Sequence, residues 1–165
     1  MVTNGIQDVA PAFEGGEPGA MKRKPRLPDE GIFDSQMIGQ TVASGLTIGV
    51  LAFGLWYWLI NGQVMGEASA RNSGLLLMVL LQNVHVFNCR SERVSALKVA
   101  LRRDAVVIFG VANSQSIHIL SMHVPLMQTI LGTEPVTFFE RLTYLSPALV
   151  VLLVMEAFKW IRRTQ

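Results

Sequence analysis

The chain has 165 residues, of which 50% are hydrophobic and only 16% charged, and its formal net charge is +2. With a mean hydropathy of +0.38, this composition excludes an ordinary soluble domain, and the lack of a long basic stripe argues against a nucleic-acid partner. Cys89 is the single cysteine, so an internal disulfide is excluded, and no Cys/His cluster has the spacing of a structural zinc site.

Four apolar blocks hold most of the hydrophobic residues. A helix of about 20 residues crosses a hydrocarbon core about 30 Å thick. The sequence therefore predicts an all-α membrane protein, with four transmembrane helices that form a bundle within residues 36–165 and lie in a lipid bilayer. The predicted spans are residues 36–60, 73–89, 105–122 and 142–158, each to within a few positions.

Two segments precede the first span. Residues 1–14 are mildly apolar, too short to cross a bilayer, and interrupted by Asn4, Asp8 and Pro11. They are predicted to be the final half of a helix whose beginning is missing. Residues 15–35 are predicted to form a cytoplasmic loop. Because no basic region opens the chain, a cleaved signal peptide is not expected.

The predicted spans differ in polarity. The first contains no charge and ends in Trp56, Tyr57 and Trp58, which favour a headgroup interface. The second, residues 73–89, reaches only about 25 Å as a helix, so it has to use polar flanks, thin the bilayer or pack inside the bundle. The third carries a polar run at residues 113–118, which predicts a helix that faces protein more than lipid.

The basic residues indicate an orientation. Of the 14 Lys and Arg residues, twelve lie before the first span, between the second and third, or after the fourth. Only Arg71 and Arg141 lie in the alternate loops. Because Lys and Arg are retained on the cytoplasmic side, the count predicts four spans with both termini in the cytoplasm. We expect a multi-pass protein of a prokaryotic plasma membrane.

Six short segments, in order along the chain, carry a resemblance to a known family. They are residues 3–10, 21–26, 30–33, 87–93, 123–126 and 156–160. They resemble P-type cation-transporting ATPases of the calcium-pump type, from the end of transmembrane helix six through helix ten. The four spans would then correspond to family helices seven to ten, in agreement with the orientation that the basic residues indicate.

The resemblance implies a pump portion and not a whole pump. Family members form an aspartyl phosphate at an Asp-Lys-Thr-Gly sequence, which these 165 residues do not contain. We therefore expect no ATP hydrolysis by the chain alone and no bound cofactor, with calcium or another small cation as the transported species. The expected partner is the missing N-terminal portion of the pump, and the chain is expected to be a C-terminal fragment of the transport domain.

Candidate cation ligands lie near the N-terminus. The resemblance places ligands at Thr3 and Asn4, but calcium pumps commonly have Asp at the position of Asn4 and Pro at the position of Gln7. Asp8, one turn after Asn4 on the same face, would restore a carboxylate. Alternatively, Thr3, Asn4 and Asp8 solvate or cap a helix end.

Another candidate ligand lies in the second span. Gln82 aligns with a family position that supplies an acidic or amide ligand, although an intramembrane Gln is otherwise an interhelical hydrogen-bond partner. His85 and Cys89 follow at helical spacing and suggest a soft-metal pair. Two ligands do not make a site, so a histidine that packs inside the bundle is the favoured interpretation of His85.

Gly45 and Gly49 form a small-xxx-small pattern that lets another helix approach closely in lipid. The resemblance implies that this surface faces family helix five, which the sequence lacks. The alternative is an ordinary transmembrane helix that tolerates glycine.

Two other functions remain open at this point. One is a small, self-contained four-helix exporter coupled to protons, although no predicted span has a central carboxylate. The other is an accessory membrane subunit without transport of its own.

Overall fold

The structure is a computed structural model, and it describes Gly5 and residues 9–13, 35–90 and 105–163. These residues are almost all helical, which confirms the all-α prediction. A 3₁₀ turn, Ala10–Phe13, is followed by five α-helices. They are α1 (Ser35–Asn61), α2 (Glu67–Cys89), α3 (Ala105–His123), α4 (Pro125–Leu131) and α5 (Phe138–Arg163). Most of the predicted half-helix and almost all of the predicted cytoplasmic loop lie outside the described residues.

Three of the described helices are long and apolar enough to cross a membrane. They are Met37–Asn61, Ala105–His123 and Phe138–Arg162. The protein is therefore a multi-pass membrane protein. The remaining long helix, α2, has 23 residues and an unbroken length of about 35 Å, but its many polar side chains separate it from the other three.

The helix bounds differ from the predicted spans mainly at α2, at the linker after α3, and at α5, which begins four residues before and ends five residues after the predicted span 142–158. Helix α2 begins at Glu67, six residues before the predicted span, because its first turns are held by Glu134 in the loop before α5. The hydroxyl of Ser69 donates to Glu134 Oε2 at 2.6 Å, and Asn72 Nδ2 donates to Glu134 O at 2.8 Å. The linker after α3 contains the short helix α4, which ends in the left-handed conformation at Gly132.

Helix α2 is the centre of the bundle. Eleven of its 23 residues are buried, and it packs against α1, α3 and α5. Leucines on two of its faces meet α5 and α1, while Val86 packs against Val107 of α3. The α2 residues of the main core are Leu76, Leu77, Leu80 and Leu81, and those of α5 are Tyr144, Ala148, Val151 and Met155.

Helix α5 contains a proline yet stays continuous over 26 residues. Pro147 has no N–H to donate to the carbonyl of Thr143, one turn earlier. The hydroxyl of Ser146 donates to that carbonyl at 2.7 Å, so the carbonyl still has a hydrogen-bond partner. At its start, Thr137 and Glu140 form a capping box, with the Thr137 N–H 2.7 Å from Glu140 Oε2. Helix α5 carries Met155 and Lys159 to the end of α2.

Candidate functional site

Five polar side chains lie in the last two turns of α2, the helix that packs against α1, α3 and α5. They are Gln82, Asn83, His85, Asn88 and Cys89. A central helix packed on three sides is expected to be apolar there, so each polar group needs a partner or a role. These five side chains have different surroundings.

Asn83 points toward α3. Its Nδ2 donates to Gln115 Oε1 at 2.6 Å, and the residue is only 6% exposed. Ser114, the neighbour of Gln115, is fully buried. The polar run that sequence analysis found in the third span therefore faces protein at these two positions, and the amide pair joins α2 to α3 within the bundle.

Gln82 lies on the same helical face as Cys89, two turns before it. It is half-buried, and its side chain makes no hydrogen bond with the residues that the structure describes. Leu75 and Cys89, each two turns away along the same face, are both exposed. The amide of Gln82 is thus available to a ligand or helix that approaches this face.

A third group of side chains surrounds a cavity of about 180 Å³ between α1, α2 and α5. Thr41 and Ser44 line it from α1, but both hydroxyls donate to carbonyls of their own helix. His85, Asn88 and Cys89 line it from α2, and Met155 closes it on the side of α5. The cavity is large enough to hold a small ligand or several water molecules.

Asn88 is the most unusual member of that lining. It is 2% exposed, and neither its Oδ1 nor its Nδ2 has a hydrogen-bond partner among the described residues. Beside it, His85 Nε2 lies 3.4 Å from Cys89 Sγ. Lys159 of α5, also 2% exposed, donates from Nζ to the backbone oxygen of Asn88 at 2.9 Å. The Lys159 ammonium therefore places a positive charge next to the backbone of Asn88.

The sequence-predicted ligands are only partly covered by the structure. Thr3, Asn4 and Asp8 lie outside the described residues, so the structure gives the surroundings of Gln82 alone. Sequence reasoning missed the pairing of Asn83 with Gln115 and that of Asn88 with Lys159. The available signal was the presence of amides in an otherwise leucine-rich segment, which does not by itself identify their partners.

The outer face of α1 is open. A Cβ built at Gly45 or Gly49, which lie one turn apart on this face, would meet no atom within 4 Å. The apolar residues around these glycines are exposed as well, with Leu46 at 65% and Val50 at 70%. Along this face, α1 offers a smooth, apolar surface of the kind that packs closely against another helix in a membrane.

The fold defines a helical membrane segment. It has polar groups on its central helix and an open, glycine-containing face on α1. Residues 1–161 match the model of the family described as cation transporting ATPase, C-terminus. Since the match covers nearly the whole sequence, the chain belongs to this family.

Individual relatives agree with that assignment. The chain is 30% identical over 137 residues to a calcium-transporting ATPase of Bacillus subtilis, covering 83% of this chain and 15% of the relative. It is 27% identical over 148 residues to a probable cation-transporting ATPase F of Mycobacterium tuberculosis, covering 88% and 16%. An endoplasmic reticulum calcium ATPase of Aspergillus fumigatus is 21% identical over 193 residues, covering 99% and 20%. The chain thus spans 15–20% of the length of these relatives.

Proposed function

We propose that the chain is the C-terminal transmembrane part of a P-type, ATP-driven cation pump in a prokaryotic plasma membrane. In this proposal α2 is a fourth membrane span beside α1, α3 and α5, and both termini are cytoplasmic. The twelve-to-two distribution of Lys and Arg supports the orientation. Helix α2 is about 35 Å long, which is sufficient for a membrane crossing. Because it is buried among three apolar helices, its polar side chains can be accommodated within the membrane.

The open faces of α1 and α2 support a partner within the transport domain. Gly49 and its neighbours would receive a helix from the portion of the pump that carries the phosphorylation site, in the same or a separate polypeptide. Close approach at glycine gives van der Waals contact and backbone proximity, which drive helix association where water is absent. The unobstructed space at Gly45 and Gly49 is the observation that best supports this role.

The chain would also contribute to a cation site. A hard cation such as calcium needs several oxygen ligands once water is removed, and one amide cannot supply them. Gln82 would provide one oxygen, and Thr3, Asn4 and Asp8 would provide others. The remaining ligands would come from the partner helices. The exposure of the Gln82 face to such helices supports the assignment.

The chain would not hydrolyse ATP by itself. Its sequence contains no Asp-Lys-Thr-Gly phosphorylation motif, and its relatives are ATPases that it matches over only a small share of their length. In the assembled pump, phosphorylation elsewhere would drive alternating access. The well-packed contacts of α2 with α1 and α5 suit the comparatively static side of the membrane domain.

A chimera tests this function. The matching segment of the Bacillus subtilis calcium-transporting ATPase would be replaced by this chain, and calcium-dependent ATP hydrolysis would be measured in membranes. We expect the chimera to be active and the variant Gln82→Leu to need several-fold more calcium for half-maximal activity. Gln63→Leu is the matched control, because Gln63 is an exposed amide in the turn after α1.

The possible outcomes test the role in the transport domain and the role of Gln82 in the cation site separately. An inactive chimera that is fully inserted and folded would contradict the role in the transport domain. An active chimera in which Gln82→Leu behaves like Gln63→Leu would leave the scaffold role in place and remove Gln82 from the cation site.

A further inference from the structure

Two side chains at the end of α2 converge in the manner of a metal site. His85 and Cys89 are one turn apart, and His85 Nε2 lies 3.4 Å from Cys89 Sγ. Zn²⁺ binds sulfur at about 2.3 Å and histidine nitrogen at about 2.0 Å, so two such ligands in a tetrahedron are roughly 3.5 Å apart. The two donor atoms therefore have the separation that a shared metal ion requires.

A third donor lies in the same cavity. The described residues include no cluster of three or more His, Cys, Asp or Glu side chains, so a further protein ligand has to be of another type. Asn88 lines the 180 Å³ cavity together with His85 and Cys89. It is 98% buried, and its amide oxygen and nitrogen have no partner in the part of the chain that the structure describes. An unmatched amide at this position is unfavourable unless something in the cavity binds it.

We propose that this cavity binds one borderline-soft divalent cation, of which Zn²⁺ is the type. The ligands are His85 Nε2, Cys89 Sγ and Asn88 Oδ1, with a water molecule in the fourth position. When the metal binds, the Cys89 thiol releases its proton to solvent and the sulfur binds as thiolate. The exposure of Cys89 gives the ion a path into the cavity.

The charges around the cavity select the type of ion. No carboxylate from the described residues lines it, so a hard cation such as Ca²⁺ would find too few oxygen ligands. The Lys159 ammonium lies behind Asn88 and opposes a dication, while the Cys89 thiolate offsets one of the two charges. A site of this composition suits reversible binding of a metal with affinity for sulfur and nitrogen. It is distinct from the transported-cation ligands and needs only this chain.

Cadmium is a suitable probe because its thiolate complex has an ultraviolet charge-transfer band. The 165-residue chain in nanodiscs of zwitterionic lipid would be titrated with Cd²⁺, and Zn²⁺ would then be added as competitor. We expect one Cd²⁺ per chain, loss of the band in Cys89→Ser, and at least about tenfold weaker binding in His85→Gln. Asn88→Ala should also weaken binding, by a smaller factor.

His123→Gln is the matched control. His123 is an exposed histidine at the end of α3, outside the cavity, with its Nδ1 2.8 Å from Ile119 O. It should leave Cd²⁺ affinity unchanged. Binding of one Cd²⁺ per two chains would mean that Cys89 is shared between copies and would overturn the proposal, as would equal affinities of His85→Gln and the native chain.

A second measurement avoids substitutions altogether. Because Cys89 is the single cysteine, the rate at which a maleimide modifies the native chain reports on its sulfur alone. Bound Zn²⁺ should slow this reaction at least about tenfold, since the sulfur is then a metal ligand. An unchanged rate at saturating Zn²⁺ would contradict the proposal. The calcium-dependent activity of the chimera does not enter either test, so the two proposals can fail separately.

Discussion

The ammonium of Lys159 lies 2.9 Å from the backbone oxygen of Asn88, and both residues are 2% exposed. Asn88 is in the last turn of α2, where the terminal carbonyls have no N–H partner within the helix. Lys159 reaches this carbonyl from α5, 71 positions later in the sequence. A cation at a helix C-terminus also interacts favourably with the helix dipole. The contact therefore fixes the end of the central helix against α5.

Replacing Lys159 by Met should destabilise the bundle. The apolar stem is kept, but the carbonyl of Asn88 loses a charged donor in a buried place, at a cost of about 1–3 kcal/mol. Thermal unfolding of the chain in nanodiscs, followed by circular dichroism, measures the effect. Arg162→Met is the control, because Arg162 is exposed one turn away and its cation–π contact with Phe158 should contribute no more than about 1 kcal/mol. Equal unfolding temperatures for the two variants would contradict the buried contact.

The amide pair between α2 and α3 gives a second prediction. Asn83→Leu should lower the free energy of unfolding by roughly 1–2 kcal/mol, because it removes a buried interhelical hydrogen bond. In a double-mutant cycle with Gln115→Leu, the second substitution should then cost little, since the partner is already gone. Strictly additive effects in the same unfolding assay would show that the two amides do not interact.

Features that depend on the local sequence pattern could be predicted, whereas features that depend on contacts between distant residues could not. Helices α1 and α3 end within one residue of the apolar runs at 36–60 and 105–122, because long apolar runs flanked by polar residues favour a helix in lipid. The start of α2 was missed, because its first turns depend on the contact of Asn72 with Glu134. Helix α4 was missed because Pro125 and Gly132 at its ends indicate a linker, and seven residues are too few for a periodic signal.

Prediction of the candidate site was likewise limited to features that are local in the sequence. The sequence identified Gln82, His85 and Cys89 as noteworthy, since spacing along one helix is a local property. It did not identify Asn88, because the burial of that amide depends on α5, and the position of α5 depends on packing over the whole bundle. The choice between a packed histidine and a metal ligand at His85 likewise depends on what lines the cavity from other helices.

The open face of α1 predicts that one substitution has different effects in the chain and in a pump. Gly49→Leu should leave the unfolding temperature of the isolated chain nearly unchanged, because a side chain there meets no atom within 4 Å. In the chimeric pump the same leucine should block the approach of the partner helix and abolish calcium-dependent ATP hydrolysis.

A second glycine of α1 is the control for that comparison. A Cβ at Gly39 would lie 3.0 Å from the ring of Phe158 in α5, so Gly39→Leu should destabilise the isolated chain itself. An active chimera carrying Gly49→Leu would show that this face of α1 does not contact the rest of the pump.

A backbone feature in the turn after α1 provides a stabilising substitution. Val64 has a φ of 51° and is 85% exposed, so a β-branched residue occupies the left-handed region without any packing in return. Val64→Asn should raise the free energy of unfolding by about 1 kcal/mol, because Asn tolerates this conformation. Val42→Asn, at an exposed position within α1, is expected to give no such gain.

The crossing of α2 is the step on which the proposed topology depends, because α2 is less apolar than the three helices that qualify by hydropathy. Positions 66 and 95 flank it, and single cysteines there in a Cys89→Ser background would report the two sides of the membrane. With a membrane-impermeant maleimide, we expect Gly66→Cys to be labelled in intact cells and Ser95→Cys only in inverted vesicles. The physical reason is that the five basic residues at positions 90–103 stay in the cytoplasm, while α2 is long enough to carry residue 66 to the other surface. Labelling of both positions from the same side would mean that α2 does not cross, and the chain would then lack the arrangement of a pump's last four helices.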